Sequence, residues 1–173
     1  MLHISIYIWS LFAMWKWSNW RRWRQYHSTL LFMPLANLVY SLLVNDPDFY
    51  LWKYTYSPFL SPELASFFYS VLVFPATVLL FLSNYPAHAG VKDELIHILK
   101  YIGIYIVFEW IGLEVGAIEH AHGWNLLWST WFNLLTFSIL RIHHTNPSAA
   151  YFLSSLITGY LLFHFHVPLW DSQ

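Results

Sequence analysis

The sequence predicts an all-α integral membrane protein, a helical bundle with about six transmembrane helices. Its 173 residues are 58% hydrophobic and only 10% charged, whereas soluble domains carry about 25% charged residues. The apolar residues form runs that approach the length needed to cross the hydrocarbon layer of a bilayer. The basic residues collect on alternate loops, which is typical of a membrane protein with a fixed orientation. We expect one domain over residues 1–173.

Six apolar runs are the predicted spans, with bounds of about 2–17, 28–44, 64–84, 98–118, 124–141 and 148–167. No basic residue precedes the first run, whereas Lys16, Arg21, Arg22 and Arg24 follow it. A cleaved signal peptide has the opposite order. The first run is therefore interpreted as a retained helix, and six spans place both termini outside.

The basic residues favour six spans over five. With the N-terminus outside, the inner loops are 18–27, 85–97 and 142–147, and seven of the eight basic residues lie on or near the inner side. The exception is Lys53. Lysine and arginine concentrate on the inner loops of membrane proteins, so this asymmetry predicts a multi-pass protein.

The segment from Trp15 to Tyr26 interleaves aromatic rings with cations. Such a segment is typical of an interfacial anchor, with indoles at headgroup level and guanidinium groups on lipid phosphates. A specific lipid-headgroup site is the alternative. Membrane lipids are the expected partners. The net charge of −1 argues against nucleic acid, and the absence of cysteine excludes thiolate and disulfide chemistry.

The longest outer connection covers residues 45–63. The Asn45-Asp46-Pro47 triplet is expected to end the second helix, because proline restricts the residue before it. Ser61 is expected to cap the third helix, with Pro62 and Glu63 in its first turn. The aromatic residues of this loop suggest a lid on the outer surface, and a plain interfacial connection is equally compatible.

The centres of the runs carry polar or helix-disturbing residues at similar depth. Asn37, Pro75, Glu109 and Asn133 mark the second to the fifth run. Polar side chains inside a bilayer are costly, and the proline leaves a backbone carbonyl without its helical donor. These positions predict a polar pocket at mid-bilayer depth, with Glu109 as its only carboxylate.

The fifth helix is expected to turn a polar face toward Glu109. At roughly 100° per residue, its polar residues share one face, and its tryptophans form a neighbouring stripe: Asn125, Ser129, Asn133 and Thr136, beside Trp124, Trp128 and Trp131. Gly112 and Gly116 form a small-xxx-small pair, which lets a neighbouring backbone approach closely.

Two chemical roles are open for Glu109. Burial in an apolar site favours the protonated carboxyl, which can donate a proton. Alternatively, a protonated Glu109 can hold helices together by hydrogen bonds to Asn133 or Asn37. Glu114 lies about 140° around the helix from Glu109, so the two carboxyls cannot form a catalytic pair.

Glu109 is therefore the candidate catalytic residue, and eight residues are candidates for ligand binding: Asn37, Tyr105, Trp110, Asn125, Trp128, Ser129, Trp131 and Asn133. No cofactor is expected. We expect no metal site, because a His-x-His pair on a helix, such as His164 and His166, holds its rings about 200° apart. The outer residues Glu119, His120 and His122 are assigned to a surface corner.

Four sequence features are shared with a known family: the run WKWSNWRRW at 15–23, the Phe74-Pro75-Ala76-Thr77 segment, Glu109 followed by an aromatic residue, and Gly123-Trp124-Asn125 with Trp128-Ser129. With these features the chain resembles, over nearly its whole length, an uncharacterised family of small, aromatic-rich, multi-pass membrane proteins of spore-forming Gram-positive bacteria. His120 and His122 stand where that family has tyrosine and asparagine. The resemblance implies a bacterial plasma-membrane location and no particular reaction.

Three functions are compatible with these features. The first is binding or acid-catalysed conversion of a lipophilic, isoprenoid-like ligand, in which Glu109 protonates an alkene and aromatic rings stabilise the cation. The second is a structural or accessory membrane subunit without a ligand, and oligomers are compatible with it. The third is a small proton-coupled transporter, since residues 2–84 and 98–167 each hold three spans.

Overall fold

A computed structural model describes residues 2–44, 49–56 and 60–168. The chain is mostly helical, as predicted. Six long helices follow one another: α1 (Leu2–Trp17), α2 (His27–Leu43), α3 (Pro62–Ser83), α4 (Val91–Glu114), α5 (Leu126–Thr145) and α6 (Pro147–His164). A 3₁₀ helix, Trp20–Gln25, connects α1 to α2.

Consecutive helices run in alternating directions, so the bundle has two ends. At one end, the backbone N–H of Asn19 after α1 donates to Ser83 Oγ at the end of α3 (3.2 Å). At the other, Tyr7 OH near the start of α1 donates to the carbonyl of Ala65 near the start of α3 (3.3 Å). The helix between them, α2, runs in the opposite direction, because Thr29 near its start contacts His143 in the last turn of α5.

A short two-stranded antiparallel ribbon is the feature that the sequence did not predict. Strand β1 (Trp52–Tyr54) lies in the long loop after α2, and β2 (Ile118–His120) lies between α4 and α5. Trp52 pairs with His120, and Tyr54 pairs with Ile118. The loop with β1 therefore folds onto the end of the bundle where α4 ends and α5 begins, and it pairs there with the α4–α5 connection.

Helix starts follow local sequence signals. Ser61 Oγ accepts a hydrogen bond from the backbone N–H of Leu64, with Pro62 in the first turn, which confirms the predicted start of α3. Asn125 and Asn146 cap α5 and α6 in the same way. Helix α2 ends at Leu43; the Asn45-Asp46-Pro47 triplet that was expected to end it lies outside the described residues.

The proline of α3 is accommodated by a change in helical geometry. Pro75 has no N–H and cannot donate to the carbonyl four residues before it. The preceding turn, Tyr69–Val73, is a π-helix, in which the N–H of Phe74 donates to the carbonyl of Tyr69. Such widened turns occur often where a helix must adapt to a local constraint.

Two clusters of buried side chains hold the bundle together. The larger lies between α2, α3, α4, α5 and α6, and its fully buried members include Val78, Phe81, Phe137 and Leu140. The second packs the ribbon onto α1 and α3, and contains Tyr7, Tyr54, Ala65, Tyr69, Val73 and Ile118. Packing of this kind fixes where the ribbon side chains point.

Two helices are long and apolar enough to cross a membrane by length and composition, Pro62–Ser83 and Val91–Glu114. Helix α2 is apolar but shorter. The fourth helix differs from its predicted bounds of 98–118, because it begins at Val91 and ends at Glu114. Its first turn is polar, with Asp93 and Glu94 at the positive end of the helix dipole. Hydropathy alone therefore does not predict this first part of the helix.

Candidate functional site

Glu109 lies near the ribbon end of the bundle and away from the centre of α4. It precedes the last helical residue, Glu114, by five positions, which is about 7.5 Å along the axis. Helix α4 has 24 residues, so its midpoint falls near Gly103. Glu109 is predicted at the centre of its apolar run, but it lies nearer the ribbon end of α4, because the helix starts earlier than that run.

Three hydrogen-bond donors meet at one oxygen of Glu109. The indole Nε1 of Trp52 lies 3.1 Å from Oε1, and Nε2 of His120 lies 2.8 Å from the same atom. The Ser129 hydroxyl is a third donor to Oε1. The Glu109 and His120 side chains are each only 11% exposed, so these bonds form in a largely desolvated place, where they are stronger than in water.

The register of the ribbon explains two of these donors. Residues directly opposite each other in an antiparallel pair point to the same face. Trp52 and His120 form such a pair and both reach Glu109. The next pair, Lys53 and Glu119, points to the other face and forms an exposed ion pair of 3.4 Å.

The third donor is oriented from within α5. Trp124 Nε1 donates to Ser129 Oγ at 2.8 Å, and an indole nitrogen is only a donor. Because this bond occupies an acceptor position of Ser129, the serine hydroxyl hydrogen is free to point at Glu109. Asn133 Nδ2 donates to the Ser129 carbonyl at 2.8 Å, one turn further along. The predicted approach of Glu109 to the Ser129 face is confirmed.

The two carboxyl oxygens of Glu109 consequently have different roles. Oε1 accepts the indole N–H of Trp52 and has two further hydrogen-bond partners, His120 and Ser129. Within the described chain, Oε2 has no hydrogen-bond partner, and neither has Nδ1 of His120. Oε2 is therefore the oxygen at which Glu109 can exchange a proton without displacing one of these three protein partners. Ser129 and His120 both contact the carboxylate and not each other, so this is not a serine nucleophile triad.

Aromatic rings surround this group on the ribbon side. The Trp52 ring meets the Tyr54 ring edge-on at 4.6 Å, and Tyr54 stacks on Tyr69 at 4.6 Å. Burial raises the pKa of Tyr54 well above its usual range, so its hydroxyl keeps its proton at neutral pH. The ribbon face toward Glu109 thus presents aromatic rings, and the neutral Tyr54 hydroxyl belongs to the same ring cluster.

Several predicted site residues lie elsewhere. Asn37 donates to Ser66 at 3.2 Å and to Ser70 at 2.9 Å, and so joins α2 to α3. The Tyr105 hydroxyl pairs with Thr77 at 2.8 Å between α4 and α3. Asn125 caps α5 through its side-chain oxygen. These three predicted ligand residues have structural partners, and none of them hydrogen-bonds to the Glu109 side chain.

The predicted aromatic walls also separate. Trp110 and Trp131 are 51% and 56% exposed on the outside of the bundle. Trp128 packs against His164 at 4.8 Å and Phe165 at 5.0 Å, near the end of α6. Trp128 and Trp131 border an apolar groove of about 200 Å³ between α5 and α6, together with Leu135, Leu156 and Tyr160. Glu109 does not line this groove.

The prediction that His120 belongs to a surface corner is wrong. A simple turn between α4 and α5 would leave the His120 ring at the surface, whereas strand pairing with β1 turns the ring toward Glu109. Glu119 and His122 do lie at the surface: Glu119 pairs with Lys53, and the His122 ring stacks on Phe49 at 4.2 Å. Trp52 was missed because it lies in a loop, 57 residues before Glu109 in the sequence.

The small-residue pair also has a different role from the predicted one. Gly112 is buried against Ile118 of β2, and Gly116 lies after the end of α4 with a φ of +65°. Neither glycine brings a neighbouring helix backbone close. In the part of the chain that is described, no group of three histidine, aspartate or glutamate side chains is placed to hold a metal ion.

Comparison of the chain with protein-family models, with curated proteins and with solved structures finds no match. Its function must therefore be inferred from the geometry of the Glu109 site and from the distribution of apolar and charged residues.

Proposed function

We propose that this chain is a multi-pass membrane protein whose Glu109 exchanges a proton with a bound lipophilic, isoprenoid-like molecule. The observation that carries the acid–base role is the convergence of Trp52, His120 and Ser129 on Oε1, which leaves Oε2 without a partner among the described residues. A carboxyl that is fixed through one oxygen and open at the other is a preorganised acid or base.

The exposure of apolar side chains supports the membrane placement. Only 17% of the most apolar window of α4 is buried inside the protein, whereas the core helix of a soluble protein is mostly buried. Large apolar side chains are also exposed on other helices, including Phe163 of α6, which is 82% exposed. Exposed apolar area of this extent is a liability in water and is favourable in hydrocarbon.

The distribution of charge supports six crossings. The connections 18–26 and 84–90 and residue 146 lie at one end of the bundle, which we name the basic end. Lysine and arginine lie at or toward this end, at Lys16, Arg21, Arg22, Arg24, Lys92, Lys100 and Arg141. The opposite end, with the ribbon, has Lys53. The basic end is then cytoplasmic, and the bacterial plasma membrane is the location that the family resemblance favours.

The reaction that fits this site is an acid-catalysed rearrangement of an alkene. The proton on Glu109 Oε2 is transferred to one alkene carbon, which leaves a carboxylate on the protein and a tertiary carbocation on the ligand. Loss of a proton from a neighbouring carbon to Oε2 restores the acid and gives an isomerised or cyclised alkene without net oxidation. The Trp52 ring beside Glu109 can stabilise the cation.

Deuterium incorporation tests this function whichever isomer or ring is formed, because each product gains a hydrogen from the solvent. The purified chain is reconstituted in liposomes prepared in D₂O with farnesol, geranylgeraniol and a total isoprenoid extract from a spore-forming Gram-positive bacterium. Mass spectrometry then detects carbon-bound deuterium. The Glu109→Gln variant is expected to lose incorporation by at least about 100-fold, the usual lower range for removing a general acid.

The matched control is Glu114→Gln, a change of the same kind at an exposed position of the same helix, which is expected to keep incorporation. In Glu109→Gln the amide oxygen still accepts the three donors, so helicity and thermal unfolding should be retained. Equal incorporation in the Glu109→Gln variant and the unaltered chain, or none in any isoprenoid with the unaltered chain, would falsify the catalytic proposal.

A structural role is the second candidate, and a specific observation favours it. The bonds at Glu109 join four elements: α4, β1, β2 and α5. If this role is the whole function, Glu109→Leu will detach the ribbon and lower the unfolding temperature, and no isoprenoid will gain deuterium in the unaltered chain. The two candidates are thus separated by the behaviour of the unaltered chain.

A further inference from the structure

The connection between α1 and α2 is a fixed structural element at the basic end. Trp20–Gln25 forms a 3₁₀ helix with no buried residue. It is tied to the end of α3, because Asn84 Nδ2 donates to the carbonyl of Trp17 at 2.9 Å and the Asn19 N–H donates to Ser83 Oγ at 3.2 Å. Its exposed side chains are therefore presented from a defined platform.

Three guanidinium groups of this element have no carboxylate partner in the part of the chain that the structure describes. Arg21, Arg22 and Arg24 are all exposed. Among the described residues, Lys53 pairs with Glu119 and His120 contacts Glu109, and both contacts lie at the opposite end of the molecule. A guanidinium offers five N–H donors in a planar fork that matches phosphate oxygens. This cluster therefore has the geometry and charge to bind phosphate groups.

Exposed indoles lie on both sides of these cations. Trp15 and Trp17 end α1, and Trp20 and Trp23 alternate with the arginines; all four are exposed. The Arg21 guanidinium carbon lies 5.5 Å from the centre of the Trp20 ring, which holds its side chain close to an indole. Tryptophan favours the headgroup layer of a bilayer, with its ring in the apolar part and its N–H in the polar part.

We propose that residues 15–24 form a binding surface for the headgroups of anionic phospholipids, selective for phosphatidylglycerol over phosphatidylcholine. This inference rests on the proposed membrane placement and goes beyond the orientation of the bundle, because it assigns a ligand class to named side chains. The phosphate accepts from the guanidinium forks, and the indoles occupy the adjacent acyl boundary. The choline cation of phosphatidylcholine opposes the same cluster.

Lipid binding to the full chain in detergent micelles tests the proposal. Dioleoyl-phosphatidylglycerol or dioleoyl-phosphatidylcholine is titrated, and retained lipid is counted by native mass spectrometry. An arginine near an anionic headgroup contributes roughly fivefold in affinity, so the Arg21→Gln/Arg24→Gln double variant is expected to bind phosphatidylglycerol roughly 25-fold more weakly. The control Lys92→Gln/Lys100→Gln removes the same charge from exposed positions of α4 and is expected to keep binding.

Each other outcome has a defined meaning. Equal binding of the two lipids, or equal weakening by the two double variants, overturns the headgroup site while leaving the membrane placement intact. Displacement of phosphatidylglycerol by millimolar inorganic phosphate shows that free phosphate, not lipid, is the ligand. Absence of association with either lipid contradicts the membrane placement itself. Circular dichroism of each variant verifies that the helices are retained.

Discussion

At the scale of single residues, the Glu109 site depends on an ordered series of donors. Trp124 donates to Ser129, and Ser129 donates to Glu109. Each bond fixes the direction of the next, since indole nitrogen only donates and the serine hydroxyl both accepts and donates. The result is a carboxyl whose orientation is set by side chains that do not themselves take part in proton exchange.

Ser129→Ala should therefore cost more than the loss of one hydrogen bond. The substitution leaves the Trp124 N–H without its acceptor in a partly buried place, at a cost of about 1–3 kcal/mol. The measurement is thermal unfolding in detergent. Ser155→Ala is the matched control, because the exposed Ser155 hydroxyl only donates to the Tyr151 carbonyl within α6. An equal decrease in unfolding temperature in the two variants would show that the Trp124–Ser129–Glu109 hydrogen bonds contribute no more to stability than the bond of Ser155.

At the scale of secondary-structure elements, the ribbon is positioned by close packing on the end of α4. A Cβ added to Gly112 would lie 2.5 Å from Ile118 Cδ1 and 3.0 Å from Cγ1. Ile118 is buried and packs in the cluster that holds the ribbon on α1 and α3, so it has little room to move. Absence of a side chain at Gly112 thus lets β2 reach the position from which His120 contacts Glu109.

Gly112→Ala is expected to destabilise the protein by about 1–3 kcal/mol, the usual cost of an overpacked contact. Ile118→Val removes the Cδ1 atom and should recover part of this loss in the double variant, as a double-mutant cycle measures. Gly103→Ala on the same helix is the control. Its added Cβ meets no atom within 4 Å, so it should gain up to about 1 kcal/mol from helix propensity. Equal effects at both glycines would contradict this packing.

The same elements show which parts of the structure could be predicted from the sequence. Long apolar runs and local capping residues such as Ser61 predict the helices, so the existence of the helices follows from composition and spacing. The contact between Glu109 and Ser129 follows from helical phase. The ribbon cannot be predicted in this way. Each strand has only three residues, which is too short for a recognisable pattern, and the paired residues Trp52 and His120 are far apart in the sequence. Sequence reasoning therefore missed the contacts of His120 and Trp52 with Glu109, and it placed Glu109 closer to the centre of α4 than the helix bounds do.

At the scale of the whole molecule, the alternating helices place two chemically different surfaces at opposite ends. The basic end carries the arginine and tryptophan cluster, and the ribbon end carries the Glu109 group. If the apolar helices between them lie in lipid, a ligand must reach Glu109 from the outer side or from the outer leaflet. Orientation and chemistry are then linked, since the same charges that fix the basic end inside place Glu109 outside.

The absence of cysteine allows this arrangement to be mapped with single cysteines and no background. Ala89→Cys and Ser148→Cys lie at the basic end, Tyr56→Cys lies at the ribbon end, and all three positions are exposed. In intact cells, a membrane-impermeant maleimide should label only the Tyr56→Cys variant. After permeabilisation all three should react, because the basic end then becomes accessible.

Labelling of an Ile104→Cys variant distinguishes a helix α4 that lies in a membrane from one that lies in water. Ile104 is 40% exposed near the middle of α4, so in water the thiol would react readily with the same maleimide. In a bilayer it faces hydrocarbon, where a thiol stays protonated and a charged reagent does not enter. We therefore expect no labelling at this position after permeabilisation and full labelling after denaturation. Rapid labelling of the folded protein in membranes would place α4 in water and remove the six-span arrangement.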